Sequence, residues 1–219
     1  TQRCTFTVTV NDGQVPAITC PGHMTRNTDP GQCTAVVTYA SPTASDNCTA
    51  SPTVTIQSGP ASGSAFPKGV STVVWKAIDE AGLTKTCTFR VTVNDLELPS
   101  IVCPANQTVY TSGSSCASAA VNYSVTASDN CSTPAPALMR VAGPASGSAF
   151  PKGVTNVVWR ATDASSNSRT CSFTVTVTDN VAPLISCPAA IAASGTVVND
   201  VCSAVVMYSN ATATDNCAV

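Results

Sequence analysis

The residues best equipped for chemistry are twelve cysteines: Cys4, Cys20, Cys33, Cys48, Cys87, Cys103, Cys116, Cys131, Cys171, Cys187, Cys202 and Cys217. A thiol can attack a substrate, ligate a soft metal or pair with a second thiol. These are spaced singly, without the CxxC pairs of a zinc ribbon or a redox motif. An even number in a β-rich chain points to disulfides, and disulfides to an oxidising compartment, outside the cell or on its surface. Acid–base catalysis has little to work with. His23 is the one histidine, and its position in the next copy of the repeat described below is Asn106. Glu80 and Glu97 are the two glutamates, and no phosphate-cradling Gly-rich loop or HExxH occurs. The expectation is a non-enzymatic protein without a cofactor.

The elements that hold these cysteines repeat. Cys4, Cys87 and Cys171 recur at intervals of 83 and 84 residues, as do Cys20, Cys103 and Cys187. Cys33, Cys116 and Cys202 recur at 83 and 86, as do Cys48, Cys131 and Cys217, and Trp159 follows Trp75 by 84. GPASGSAFPKGV occurs twice without change, at 59–70 and 143–154. A period near 84 is too long for a solenoid coil and suits a small independent β-sandwich. The expected parts are the last strand of a preceding repeat over 1–12, whole repeats over 13–97 and 98–181, and the first part of a further repeat over 182–219. The chain is thus expected to be a segment of a longer array.

Alternation places the strands. In TCTFRVTV, Cys87, Phe89, Val91 and Val93 share one face, and Cys171, Phe173, Val175 and Val177 repeat this in TCSFTVTV. Cys4, Phe6, Val8 and Val10 read alike, Val73, Trp75 and Ala77 share a face, and so do Cys33, Ala35, Val37 and Tyr39. Each is the period-2 signature of a half-buried antiparallel strand. From Cys116 to Tyr123 there are seven steps where Cys33 to Tyr39 has six. The extra residue predicts a β-bulge, since it would otherwise reverse the strand's faces. The duplicated segment precedes the Trp strand, and is read as an edge loop tucking Phe66 or Phe150 under the sandwich. The alternative is a lateral contact surface.

Composition agrees. The 219 residues carry a net charge of −2, with charged residues at 10% and 15 Pro and 12 Gly as punctuation. No basic patch favours nucleic acid, and no run of about 20 apolar residues forms a membrane span.

SDNC at 128–131 and the stretch SGSAFPKGVTNVVWRATDASSNSRTCSFTVTVTDNVAPLISCP at 146–188, with its partner at 62–104, resemble the hyalin repeat, or HYR, domain. The resemblance covers the whole chain. It implies all-β, immunoglobulin-like sandwich modules in tandem, extracellular and associated with adhesion. The turn after the Trp strand is DEAGLT in one copy and DASSNS in the other, so a site built on it need not be shared.

In the immunoglobulin-like topology so implied, Cys48 and Cys87 share one end of the sandwich. The expected bridges are therefore Cys48–Cys87 and Cys131–Cys171, leaving Cys20–Cys33, Cys103–Cys116 and Cys187–Cys202 by elimination among the three connectivities that four cysteines allow. Cys4 and Cys217 then find partners beyond the segment. The alternative joins them to each other between subunits, with the leading strand completing the trailing module of the next copy.

The linkers VNDGQVP, VNDLELP and VTDNVAP raise the question of calcium; the last resembles the Asp-Asn-x-x-Pro linkers of cadherins. Asp179, Asn180 and Asp163 are the candidate ligands, too few for a cation that takes six to eight oxygens. The expectation is a turn, no metal, and a melting temperature indifferent to chelation. Asn47, Asn106, Asn122, Asn130 and Asn210 open N-x-S/T sequons, acceptors in a eukaryotic secreted protein. The expected function is a structural rod or filament of a surface appendage or matrix. The alternative is an adhesin or receptor stalk module. Expected partners are neighbouring modules of the same chain or identical subunits, and a protein or glycan ligand in the second case.

Overall fold

The structure is a computed structural model; it describes residues 1–131, 133–194, 196–198 and 201–217, with backbone alone for 196–198 and 201–203. The chain divides into two compact units. The first is Thr1–Ser100 with Ser128–Ala137 and Thr162–Arg169, and the second is Ile101–Ala127, Leu138–Ala161 and Thr170–Val219. The first unit thus takes in two loops of the second sequence repeat.

In the first unit β1 (Ala17–Thr19), β2 (Met24–Asn27), β3 (Thr34–Val37), β4 (Thr43–Ser45), β5 (Thr53–Ser58), β6 (Ser64–Pro67), β7 (Gly69–Ile78) and β8 (Thr84–Asn94) build a sandwich. One layer is the sheet β2-β8-β7-β5; the other consists of the pairs β3-β6 and β1-β4. β7 and β8 form the long antiparallel hairpin, with Trp75 opposite Cys87, and β2 joins β8 in parallel. The alternating residues meet between the layers. Val73, Phe89, Val91 and Val93 from the large sheet pack on Ala35, Val37, Tyr39 and Phe66, with Trp75 and Cys20 half-buried beside them.

β9 (Ser100–Val102), β10 (Gln107–Tyr110), β11 (Thr126–Ser128), β12 (Ala137–Ala142), β13 (Gly153–Thr162) and β14 (Ser168–Thr178) repeat the plan, in the order β10-β14-β13-β12. Phe150, Val157, Phe173, Val175 and Val177 form the core of the second unit. The remaining strands are β15 (Leu184–Ser186), β16 (Thr196–Val198), β17 (Val201–Ser203) and β18 (Thr212–Thr214), joined as the pairs β15-β18 and β16-β17. The fold is all-β throughout the described residues.

The extra residue of the second repeat does disturb its strand. In the first repeat β3 and β6 pair continuously from Thr34↔Pro67 to Val37↔Ser64. In the second only the bridges Ala117↔Pro151 and Val121↔Ser148 remain, with one more residue on the first side than on the second. The Ser118 hydroxyl replaces the missing ladder bond by accepting from the Phe150 N–H at 3.0 Å.

Residues 1–12 correct an expectation. Their alternation matches β8, yet they form no strand, and Phe6 and Val10 are 87% and 88% exposed. Among the described residues no segment pairs with them, and a strand needs a partner for its backbone groups.

The duplicated dodecapeptide is part of the sandwich. Ser64–Pro67 is strand β6, and Phe66 and Phe150 are fully buried. The Ser62 hydroxyl donates to the Tyr39 carbonyl and accepts from its N–H, both at 2.8 Å, while the Tyr39 hydroxyl donates to the Pro60 carbonyl. Ser146, Tyr123 and Pro144 make the same three bonds. Gly59 sits at φ +94° against the Trp strand, where a Cβ would lie 2.5 Å from the Thr72 carbonyl oxygen; Gly143, at φ +84°, would meet the Val157 side chain at 2.8 Å. These contacts constrain the glycine, the serine, the proline and the phenylalanine of the segment. Gly59→Ala and Gly143→Ala are each expected to cost more than about 2 kcal/mol. Gly82→Ala, at φ +84° but facing open space, is expected to cost about 1 kcal/mol. Urea unfolding of the three variants measures the difference.

Candidate functional site at the repeat junctions

Four disulfides are formed: Cys20–Cys87, Cys33–Cys131, Cys103–Cys171 and Cys116–Cys217. Their Cα atoms lie 4.7–5.8 Å apart. The expected pairing is therefore revised. Cys48 does not join Cys87, Cys131 does not join Cys171, and Cys20 and Cys103 do not join Cys33 and Cys116. Cys87 lies three residues inside β8, about 10 Å from the strand's start. β1 runs beside β8 and delivers Cys20 to it, whereas Cys48 lies exposed after β4 at the end of the sandwich. Cys217 bonds to Cys116 within the chain rather than to the expected partner beyond the segment, which also removes the alternative Cys4–Cys217 bridge. Cys4, Cys48 and Cys187 are free among the described residues. The Cys202 side chain, and with it the expected Cys187–Cys202 bridge, lies outside the described residues.

Two of the bridges cross from one sequence repeat to the next. Cys33 of the first repeat holds Cys131 of the second within the first unit, and Cys116 of the second holds Cys217 of the third within the second unit. The DNC motif builds this attachment. Asp129 accepts from the Cys131 N–H at 2.9 Å and Asp215 from the Cys217 N–H at 2.9 Å, turning the chain so that the thiol faces the preceding repeat. Asn130 then donates its amide to the Gln32 carbonyl at 2.8 Å, and Asn216 donates to Ser115 at 3.1 Å. Each accepting residue stands immediately before the bridged cysteine. The side-chain nitrogen that a glycan would occupy on Asn130 is thus committed to the junction, while Asn47, Asn106, Asn122 and Asn210 are exposed. The recurrence of D-N-C was visible in the sequence; its partner was hidden because it lies one repeat away.

Acidic residues from three separate segments converge at the same junctions. Asp12 lies near the start of the VNDGQVP linker, Asp46 belongs to the first DNC motif, and Asp79 opens the turn between β7 and β8. One oxygen from each lies within 4.8 Å of the others. Asp95, Asp129 and Cys131 form the counterpart in the first unit, and Asp179, Asp215 and Cys217 in the second. At the Asp95 junction one of the charges has an ion pair. Asp95, 4% exposed, accepts from Glu97 N–H, from the Ser165 hydroxyl at 3.1 Å, and from Lys68 at 3.5 Å. Asn167 bonds both the Asp95 carbonyl and the second Asp163 oxygen. At Asp179 the ammonium of Lys152 lies 3.2 Å away and Thr111 adds a hydroxyl. The lysines come from the duplicated segment, giving its Pro-Lys-Gly an electrostatic role. The candidate ligand Asp163 thus accepts from Asn167 and from the Ser165 and Asn167 backbone, and Asp179 is paired with Lys152.

Backbone N–H bonds from Cys48 and Thr49 hold the Asp46 carboxyl below its ordinary value, and the Val181 N–H chiefly does so for Asp179, with Lys152 and Thr111 adding to it. Loss of hydration, with the fields of Asp12, Asp46 and Asp79, pushes the Cys48 thiol up. His23 has a plain structural task. Its Nδ1 accepts the Arg90 N–H at 3.0 Å, and Asn106 Oδ1 accepts that of Thr174 at 2.9 Å.

A disulfide-stapled β-sandwich array, with the oxidising compartment its bridges require, is an extracellular or cell-surface structure. The sequence profile of the HYR domain matches residues 11–93 and 94–177, and the chain belongs to the HYR family. It is 32% identical to hyalin of Strongylocentrotus purpuratus over 97% of its own length and 18% of that protein. Identity to hyalin of Lytechinus variegatus is 33%, over 95% of the chain and 40% of the relative. The sushi, von Willebrand factor type A, EGF and pentraxin domain-containing protein 1 of Rattus norvegicus is 31% identical over 78% of the chain and 5% of its own length. The chain therefore spans less than half of each of these relatives.

Two measurements test the junctions. Mass spectrometry of non-reduced peptides is expected to recover Cys33 with Cys131 and Cys116 with Cys217; Cys20 joined to Cys33 would refute the connectivity. A carboxyl whose value is depressed on folding stabilises the fold above its unfolded value and loses that contribution as pH falls through the folded one. The urea midpoint is therefore expected to hold steady above 3.8 and to fall below it, less steeply in Asp46→Asn.

Proposed function

We propose that the chain is a non-enzymatic, load-bearing segment of an extracellular HYR array that forms a rod or filament. The supporting observation is the covalent topology. From the N-terminus the shortest bonded route runs to Cys33, crosses to Cys131, returns to Cys116 and crosses to Cys217. It traverses about 50 residues, roughly 170 Å when fully extended, against about 750 Å for the whole chain. A pulling force is carried from repeat to repeat by sulfur–sulfur bonds, and the long hairpins β7-β8 and β13-β14 lie off its route. Short linkers ending in the buried Pro16 and Pro99 restrict bending at the joints. The neighbours that this array engages are further HYR modules, in the same chain or in identical subunits.

Pulling single molecules by their two ends is the test. Without reductant, extension is expected to stop near about 170 Å, and with reductant to reach about 750 Å. Extension to the full length without reductant would overturn the load-bearing reading. Saturable binding of a protein or glycan that survives loss of both junction bridges would favour an adhesin instead.

A further inference from the structure

The extra residue of the second repeat opens a groove. Ala117 pairs with Pro151 as Thr34 pairs with Pro67, and Val121 with Ser148 as Val37 with Ser64. Ala119 and Ala120 therefore stand together where the first repeat has Val36. The Ser118 hydroxyl donates to the Ala119 carbonyl at 2.7 Å and holds the chain out of the ladder. With two short side chains at this point, a groove of about 490 Å³ remains between residues 118–122 and β10, a size typical of sites that bury small ligands. Tyr110, on the β10 side, is 58% exposed. Among the described residues the N–H groups of Ala119 and Ala120 have no hydrogen-bond partner. The groove thus combines an aromatic ring with unused backbone donors.

Alternation along this stretch sets the direction of Asn122. Val121 is buried and Tyr123 packs on the core, so the side chain between them points outward, onto the groove it lines. Its amide makes no hydrogen bond among the described residues, whereas Asn130 gives its nitrogen to the Gln32 carbonyl and Asn106 holds the Thr174 N–H. Asn122-Tyr123-Ser124 is a sequon that the first repeat lacks, having Thr38 in the place of Asn122. Every residue of the groove lies inside the second whole repeat. We propose that Asn122 carries an N-linked glycan whose first sugar, an N-acetylhexosamine, lies in the groove against Tyr110. The tether fixes that sugar at the edge of the groove. Its carbon face meets the ring, and its hydroxyl and acetamido oxygens meet the free N–H groups of Ala119 and Ala120. The chain is extracellular or cell-surface and the relatives it matches are animal proteins, so the secretory route supplies the donor, a lipid-diphosphate oligosaccharide. Asn122 Nδ2 bonds to the sugar C1, and the C1–O bond to the diphosphate breaks. The lipid diphosphate departs, and the amide proton passes to a base of the transferase.

The test secretes the 219-residue chain from animal cells and maps its glycopeptides by mass spectrometry. Asn122 is expected to be occupied. Enzymatic removal of the glycan is expected to lower the melting midpoint by about 2–4 °C. It is also expected to speed amide hydrogen exchange several-fold at residues 119 and 120, where the sugar had covered the N–H groups. Because that removal leaves an aspartate, Asn122→Gln serves as the uncharged control and is expected to behave as the deglycosylated parent does. Tyr110→Ala, on an exposed strand edge, is expected to fold, to keep its glycan and to lose the difference between the glycosylated and deglycosylated forms. An unmodified Asn122 in the secreted protein would overturn the proposal. So would a glycan whose removal changes neither the midpoint nor the exchange at 119 and 120, or a difference that Tyr110→Ala leaves whole.

Discussion

The disulfide between Cys33 and Cys131 governs how the rest must be read, because it makes a boundary between sequence repeats into the interior of a folded unit. Once that bond exists, the DNC loop of one repeat is held against the strand end of the repeat before it. Asn130 then reaches the Gln32 carbonyl, and Asp95 and Asp129 are brought together whatever their mutual repulsion. Everything charged at the junction answers that enforced approach. Lys68, Ser165 and Asn167 are the answer at one joint, Lys152 and Thr111 at another. A repeat of about 84 residues with few aromatics has a small core, so a covalent tie that also organises polar groups contributes a large share of its order.

The second kind of bridge works inside each repeat. Cys20–Cys87 and Cys103–Cys171 fasten the first short strand to the long hairpin across the core, close to Trp75 and Trp159. One pair of cysteines per repeat therefore holds the sandwich, and the other pair holds the sequence of sandwiches. This division explains why four cysteines are present in a module that two would staple. It also explains the duplicated dodecapeptide. Its glycine, serine, phenylalanine and lysine respectively permit close approach to the Trp strand, tie down Tyr39 or Tyr123, fill the core and neutralise the linker aspartate.

The sequence alone determined the repeat, the all-β class, the inward faces of the long strands and the residue insertion near Cys116. All of these are local or periodic properties: alternation survives in a one-dimensional reading because the strand's period is two. It also determined the compartment, since singly spaced cysteines in even number have one common use. Only the tertiary structure decided which cysteines pair. The strand alternation put Cys87 and Cys20 within reach of several partners, and choosing among them needed the distance from the strand end and the neighbour of β8, neither of which is encoded nearby. The acidic clusters were hidden for the same reason. Asp12, Asp46 and Asp79 are separated by more than thirty residues at each step, and an electrostatic site of that kind comes into being only when the turns of a finished sandwich are laid beside the linker that enters it.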